Sequence, residues 1–111
     1  MRVEVYWNLH KKLFSVRALE GENKGRVIQH AYKVKLEEAS FVVQPAGRER
    51  VLREGKKNVH AFVRGRLAPY IEGPRRSYPV TYNPYKYDSF VQAETEKPVR
   101  WSPEVYMDVM L

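Results

Sequence analysis

The sequence predicts a small, mainly β domain: an antiparallel barrel or sandwich of about six to eight short strands with one short surface helix. Three observations predict it. Apolar and polar residues alternate over several short runs, the period of a strand that buries one face. Clusters of turn-forming residues separate these runs at regular spacing. One stretch alone, Ala46–Lys56, is rich in the helix formers Arg and Glu and carries Gly55, suited to the position just past a helix end. At 111 residues the whole chain, 1–111, fits a single β-rich domain with a small core.

The elements follow in order. Val3, Val5, Trp7 and Leu9 alternate with Glu4, Tyr6, Asn8 and His10, which gives a half-buried first strand. The polar turn His10-Lys11-Lys12 leads into Leu13–Leu19, and the two runs read as a hairpin. Glu20–Gly25 is a second turn. Val27–Leu36 reads as a third strand, with Ile28, His30, Tyr32, Val34 and Leu36 on one face, and Glu37-Glu38-Ala39 as an interruption before a short strand at Phe41–Val43. Pro45 and Gly47 break the pattern ahead of a highly charged helix of about two turns, anchored through Val51 and Leu52. Asn58–Leu67 follows as a strand with Val59, Ala61, Val63, Gly65 and Leu67 inward. The three-proline segment Ala68–Pro79 is a loop, Val80–Ala93 is aromatic and β-prone with a break at Asn83-Pro84, and Glu94–Pro98 is a turn. Ser102-Pro103-Glu104 has the form of a helix cap, yet Val105, Met107, Val109 and Leu111 alternate as in a strand, and strand is the preferred reading.

Charge is distributed unevenly. The net charge is +7 with a pI near 9.7, a balance that points to nucleic acid, an anionic membrane or an acidic protein. Residues 45–66 hold seven Lys/Arg against two Asp/Glu, whereas residues 67–111 hold five against six. The segment 48–66 therefore becomes the candidate anion-binding surface. Arg48, Arg50, Arg53, Lys56 and Lys57 supply cations from the helix and its exit. His60, Phe62, Arg64 and Arg66 share the outward side of the next strand. A flat ring among guanidinium groups suits single-stranded nucleic acid, because bases stack on the ring at about 1–3 kcal/mol each while cations follow the phosphates. The plainer alternative is a solvated helix and an edge strand kept soluble by arginine.

Catalytic signatures are sparse. There is no cysteine, which removes disulfides, thiolate chemistry and cysteine zinc sites and fits a reducing compartment. His10, His30 and His60 lack any paired local spacing, so no metal or other cofactor is expected. His60 and His10 lie close to lysines and are the candidates for metal-independent phosphodiester or phosphoryl chemistry. No nucleotide-binding glycine motif, nucleophile elbow or paired-carboxylate pattern is present. No apolar run approaches a membrane span, and Met1–Asn8 lacks the pattern of a signal peptide. Tyr78, Tyr82, Tyr85, Tyr87 and Phe90 read first as a plug for one end of the fold, and second as an interface or stacking surface.

The stretches "NLHKKLFSV", "GRVIQHA" and "AGRERVLREGKKNVHAFVRG", within Tyr6–Gly65, and more loosely "YNPYKYDSFV", resemble a family of small, uncharacterised proteins that recur in tailed-bacteriophage genomes. The resemblance implies a virus-encoded protein acting in the cytoplasm of an infected bacterium and carries no activity or site residues with it. The expected function is binding through the 48–66 segment, with nucleic acid or another polyanionic surface, including an acidic host protein such as a defence factor, as partner. A small nuclease or phosphotransfer enzyme and a virion or assembly component are the alternatives.

Overall fold

Where alternation is cleanest the first strand forms. In the computed structural model, which describes residues 1–73 and 80–108, β1 (Arg2–Asn8) buries Val3 and Val5 on one face. It pairs antiparallel with β2 (Leu13–Ala18), so that Val3 faces Ala18 and Val5 faces Val16. β2 pairs in turn with β3 (Val27–Ala31). On its other side β1 pairs with β5 (Ala61–Ala68), which pairs with β4 (Lys33–Val43), and β4 with β8 (Trp101–Asp108). The result is a six-stranded antiparallel sheet in the order β3-β2-β1-β5-β4-β8. A short ribbon, β6 (Val80–Thr81) with β7 (Val91–Gln92), forms a separate two-stranded sheet. The mainly β fold and its one short helix agree with the sequence. Hydrogen bonding does not close the sheet into a barrel.

One connection determines its shape. The run Val27–Leu36 is two strands rather than one. β3 ends at Ala31, Tyr32 bends, and β4 begins at Lys33. Yet β3 and β4 stand four places apart in the hydrogen-bonded order. Consecutive Cα atoms lie about 3.8 Å apart, so one bending residue joins them only if the sheet coils back on itself. The ring is completed by the chain and not by a ladder. This coiling lets β3, through Ile28 and Ala31, pack against the same core as Val34 and Leu36 of β4.

That core is aliphatic: Val3, Val5, Val16, Val34, Leu36, Ala39 and Val63 are its buried members. Phe14, Phe41, Leu67, Phe90, Val105 and Met107 pack around them. Burying such side chains contributes about 1.5–3 kcal/mol each. The expected interruption at Glu37–Ala39 is a bulge inside β4, not a strand end. The register with β5 shifts between Glu37 and Ser40, and Glu38 takes a left-handed φ of 51°. The bulge brings the Glu37 carbonyl so close to β5 that a Cβ on Gly65 would lie 2.8 Å from its oxygen, which is why a glycine stands there.

The C-terminal segment is strand β8, and Pro103 is tolerated because β8 is an edge of the sheet. Val109 and Leu111 lie outside the described residues, as does Tyr78. Within the tyrosine-rich segment, Tyr82 stacks on Phe90 (5.4 Å between centroids) and Phe90 meets Phe41 at 5.2 Å, while Tyr85 is exposed. Tyr82 and Phe90 thus pack against the fold, as a plug would.

Candidate nucleic-acid interface

The basic segment is an excursion from the β4–β5 hairpin. Its base is closed where the Gln44 N–H donates to the His60 carbonyl at 2.7 Å, one step beyond the Val43–Ala61 pair. Between them α1 (Pro45–Glu54) starts at a proline, whose fixed φ suits the first helical position. It stops at Gly55, left-handed at φ 70°, whose N–H donates to the Val51 carbonyl. The helix therefore runs Pro45–Glu54 rather than Ala46–Lys56, and Lys56 and Lys57 lie in the extended exit. Of the two expected anchors Val51 is buried and Leu52 is exposed.

His60 sits under the first turn of α1. A Cβ on Gly47 would lie 2.4 Å from the His60 Cβ, so glycine is required for the approach. The His60 Nδ1 faces both the Asn58 carbonyl (3.1 Å) and the Asn58 Oδ1 (2.9 Å). The Asn58 amide is oriented by its own Nδ2 donating to the Gly47 carbonyl. With two oxygens before it, Nδ1 carries the hydrogen, and Nε2 accepts from the Tyr82 hydroxyl at 2.7 Å. Burial pushes the Tyr82 phenol above its ordinary value, although the charge of Arg48 opposes this. Both ring nitrogens of His60 are thus engaged, and the side chain is 5% exposed. Neither nitrogen is open to a substrate proton.

Two expected site residues are corrected here. The side of β5 that carries Phe62 is not open at that position: Phe62 is 4% exposed and holds Tyr6 edge to face at 6.0 Å. A ring so placed offers no surface for a base. His60 is closed in the same way. Val59, expected inward, is exposed instead, because the strand begins only at Ala61.

The seven cations divide into three groups. Arg48 turns inward, its Nε donating to the carbonyls of Pro84 (3.1 Å) and Tyr87 (2.8 Å), and so fastens α1 to the loop between β6 and β7. Arg64 and Arg66 answer carboxylates. Glu4, almost fully buried on β1, accepts from Arg64 Nε at 2.9 Å and from Arg17 Nη1 at 3.0 Å, and Arg66 lies 3.8 Å from both Glu37 and Glu38. Arg50, Arg53, Lys56 and Lys57 are exposed and make no ion pair or side-chain hydrogen bond among the described residues. Arg50 and Arg53 are one turn apart on α1 and the two lysines continue past its end.

The remaining histidines lie apart from any catalytic grouping. His10 is in the exposed β1–β2 turn, and His30 on β3 meets the Ser15 hydroxyl at 3.0 Å. Ser15 is fully buried, so that hydroxyl is out of reach of a substrate. No group of His, Asp and Glu among the described residues is arranged to hold a metal ion. A cleft of about 370 Å³ beside Arg48 is lined by Lys86, Asp88 and Glu96 as well, charges of both signs that favour no anion. No helix among the described residues is long and apolar enough to cross a membrane.

The Glu4–Arg64 pairing escaped sequence reading because its partners are 60 residues apart, and only the β1–β5 register reveals it. No solved structure matches the chain. It is 43% identical over 113 residues to the gene 82 protein of Mycobacterium phage L5, a match covering 96% of this chain and 90% of that protein. Residues 1–110 match the family defined by that phage protein, and the chain accordingly belongs to the Mycobacterium phage L5 gene 82 protein family.

Proposed function

We propose that this phage protein is a non-catalytic nucleic-acid-binding protein that grips the phosphate backbone through α1 and its exit. The observation that carries the reading is the exposure of Arg50, Arg53, Lys56 and Lys57 without a carboxylate partner among the described residues. Cations already paired within the protein gain little from a phosphate. Unpaired ones release condensed counterions from the polymer when they bind. Glu49 and Glu54 share the exposed surface and moderate its field, which suits a weak, salt-sensitive contact.

The test is anisotropy of a labelled oligonucleotide across a range of salt, for the unaltered protein and for R50A/R53A/K56A/K57A. The variant keeps the unaltered urea midpoint, because exposed unpaired cations contribute little to stability. Its binding is weaker, and the slope of log K against log salt is shallower by up to about 3 units. Equal binding by the variant overturns the reading. So does displacement of the oligonucleotide by a heparin-like polymer with the same charge-normalised affinity, which marks a general polyanion surface.

A further inference from the structure

α1 supplies cations but no aromatic surface. We infer that the tip of the β1–β2 hairpin is a second arm of the same interface: Lys11 and Lys12 hold phosphates, and Trp7 beside them stacks a base. The ligand is then single-stranded. This rests on the nucleic-acid reading of α1.

Register brings the hairpin turn and the α1 exit to one end of the sheet, while Trp7, alternating with Tyr6, lies on the core side of β1, so the base would stack over the end of the sheet and not on the side that α1 covers. β1 and β5 are neighbours, with Val5 opposite Val63, and one step on the rings of Tyr6 and Phe62 touch. The ladder ends at Val5–Val63, and extending its register would set Asn8 against His60. The hairpin turn thus leaves β1 at the end of the sheet where the α1 exit enters β5. Two lysines from each, Lys11 and Lys12 with Lys56 and Lys57, emerge from adjacent strands, and neither Leu9–Lys12 nor Gly55–Val59 contains an acidic residue.

The turn is rigid. The Asn8 Oδ1 accepts from the N–H groups of His10 and Lys11, each at 3.0 Å, and the Lys12 N–H donates to the Asn8 carbonyl at 2.8 Å. Lys12 itself is left-handed, at φ 56°. Glycine or asparagine fits that conformation with less strain than a lysine. A lysine there costs some stability, as Glu38 does at the bulge of β4, and it fixes the direction in which the Lys12 side chain leaves the turn. Lys11 and Lys12 are exposed and make no ion pair among the described residues. Trp7, the last large side chain of β1 before the turn, is 39% exposed and is steadied by Phe14 at 5.2 Å, edge to face. A base stacked on such a ring extends an aromatic array that is already formed.

Lys12→Gly separates the roles. It relieves the backbone, so stability is unchanged or higher. Together with Lys11→Ala it lowers affinity for a single-stranded oligonucleotide about five- to tenfold at moderate salt and flattens the salt slope by about 1.4 units, at roughly 0.7 for each phosphate lost from a single strand. In Trp101→Phe, Trp7 is the only tryptophan left. Its emission is quenched by the single strand and not by the duplex. If R50A/R53A/K56A/K57A weakens binding while K11A/K12G does not, or if Trp7 emission ignores the single strand, the second arm is overturned and the α1 reading stands. Equal affinity for duplex and single strand overturns the stacking role, and displacement by polyglutamate, as by an acidic protein, overturns the ligand class. Absence of oligonucleotide binding by the unaltered protein overturns both readings.

Discussion

Residues 45–57 and residues 60–66 have similar compositions: each is a short basic segment with arginines two or three positions apart. Their fates differ. Along β5, neighbouring strands bring Glu4, Glu37 and Glu38 against Arg64 and Arg66, and Phe62 and His60 are covered. Of the cations along α1 and its exit, only Arg48 finds partners among the described residues. A strand in the middle of a sheet meets cross-strand neighbours on both sides, whereas a helix standing off a hairpin meets solvent on most of its surface. A surplus of charge in the sequence therefore becomes available to a ligand where the topology withholds counter-charges, and not wherever arginines are dense.

This contrast predicts that substitutions in and around β5 act on stability. The largest effect belongs to Gly65→Ala. Its new Cβ would press on the Glu37 carbonyl and the Ala39 Cα, backbone atoms that cannot turn aside, and a loss of about 2–3 kcal/mol in urea denaturation is expected. A loss under about 0.5 kcal/mol would mean that the bulge yields to the added methyl group. Next comes Glu4→Gln. It removes the charge between Arg17 and Arg64, both partly exposed and able to regain water, so about 1–2 kcal/mol is lost. An unchanged midpoint would place Arg64 with the free cations of α1.

The smallest effect concerns the joint between the two regions. Tyr82 is held with its proton because burial disfavours the phenolate. The folded protein keeps that proton at a pH where the unfolded chain gives it up. The stabilisation is complete below pH 10.0, the ordinary phenol value, and is lost as pH rises through the higher folded value. Tyr82→Phe lacks this dependence and at neutral pH lacks the hydrogen bond to His60, worth about 1 kcal/mol. The stability gap between the two proteins narrows above pH 10.0. A constant gap would show that the ionisation of Tyr82 is not coupled to folding.

Much of this fold was legible in the sequence, because alternation and turn residues are local signals. β1, β2 and β5, the helix ending at Gly55 and the strand character of Val105 and Met107 are read directly. The bend at Tyr32 was not, since tyrosine is a good strand residue and the bend follows from coiling of the whole sheet. Nor was the continuity of β4 through Glu38, where a bulge resembles an interruption. In the candidate site, alternation gave the side on which His60 and Phe62 lie but not that this side is covered there. The cations of the helix were legible as charges. Which of them stay unpaired depends on strand order, which local periodicity does not contain.

The bend at Tyr32 also bears on how the chain folds. β1, β2 and β3 form a meander of short-range pairs, while β4, β5 and β8 form a second set whose members lie further apart in sequence. Among the described residues the β1–β5 ladder is what joins the two sets in the sheet, and it spans about 60 residues. Closing so long a loop is slow and entropically unfavourable when the ends move freely. A single-residue link between β3 and β4 changes that condition. Once the meander and β4 exist, the bend holds them at high effective concentration, like two leaves on one hinge, and the long-range pairing becomes the closing of a short arc. The residue that interrupts the strand is thus expected to serve as a tether that shortens the closure of β1 onto β5.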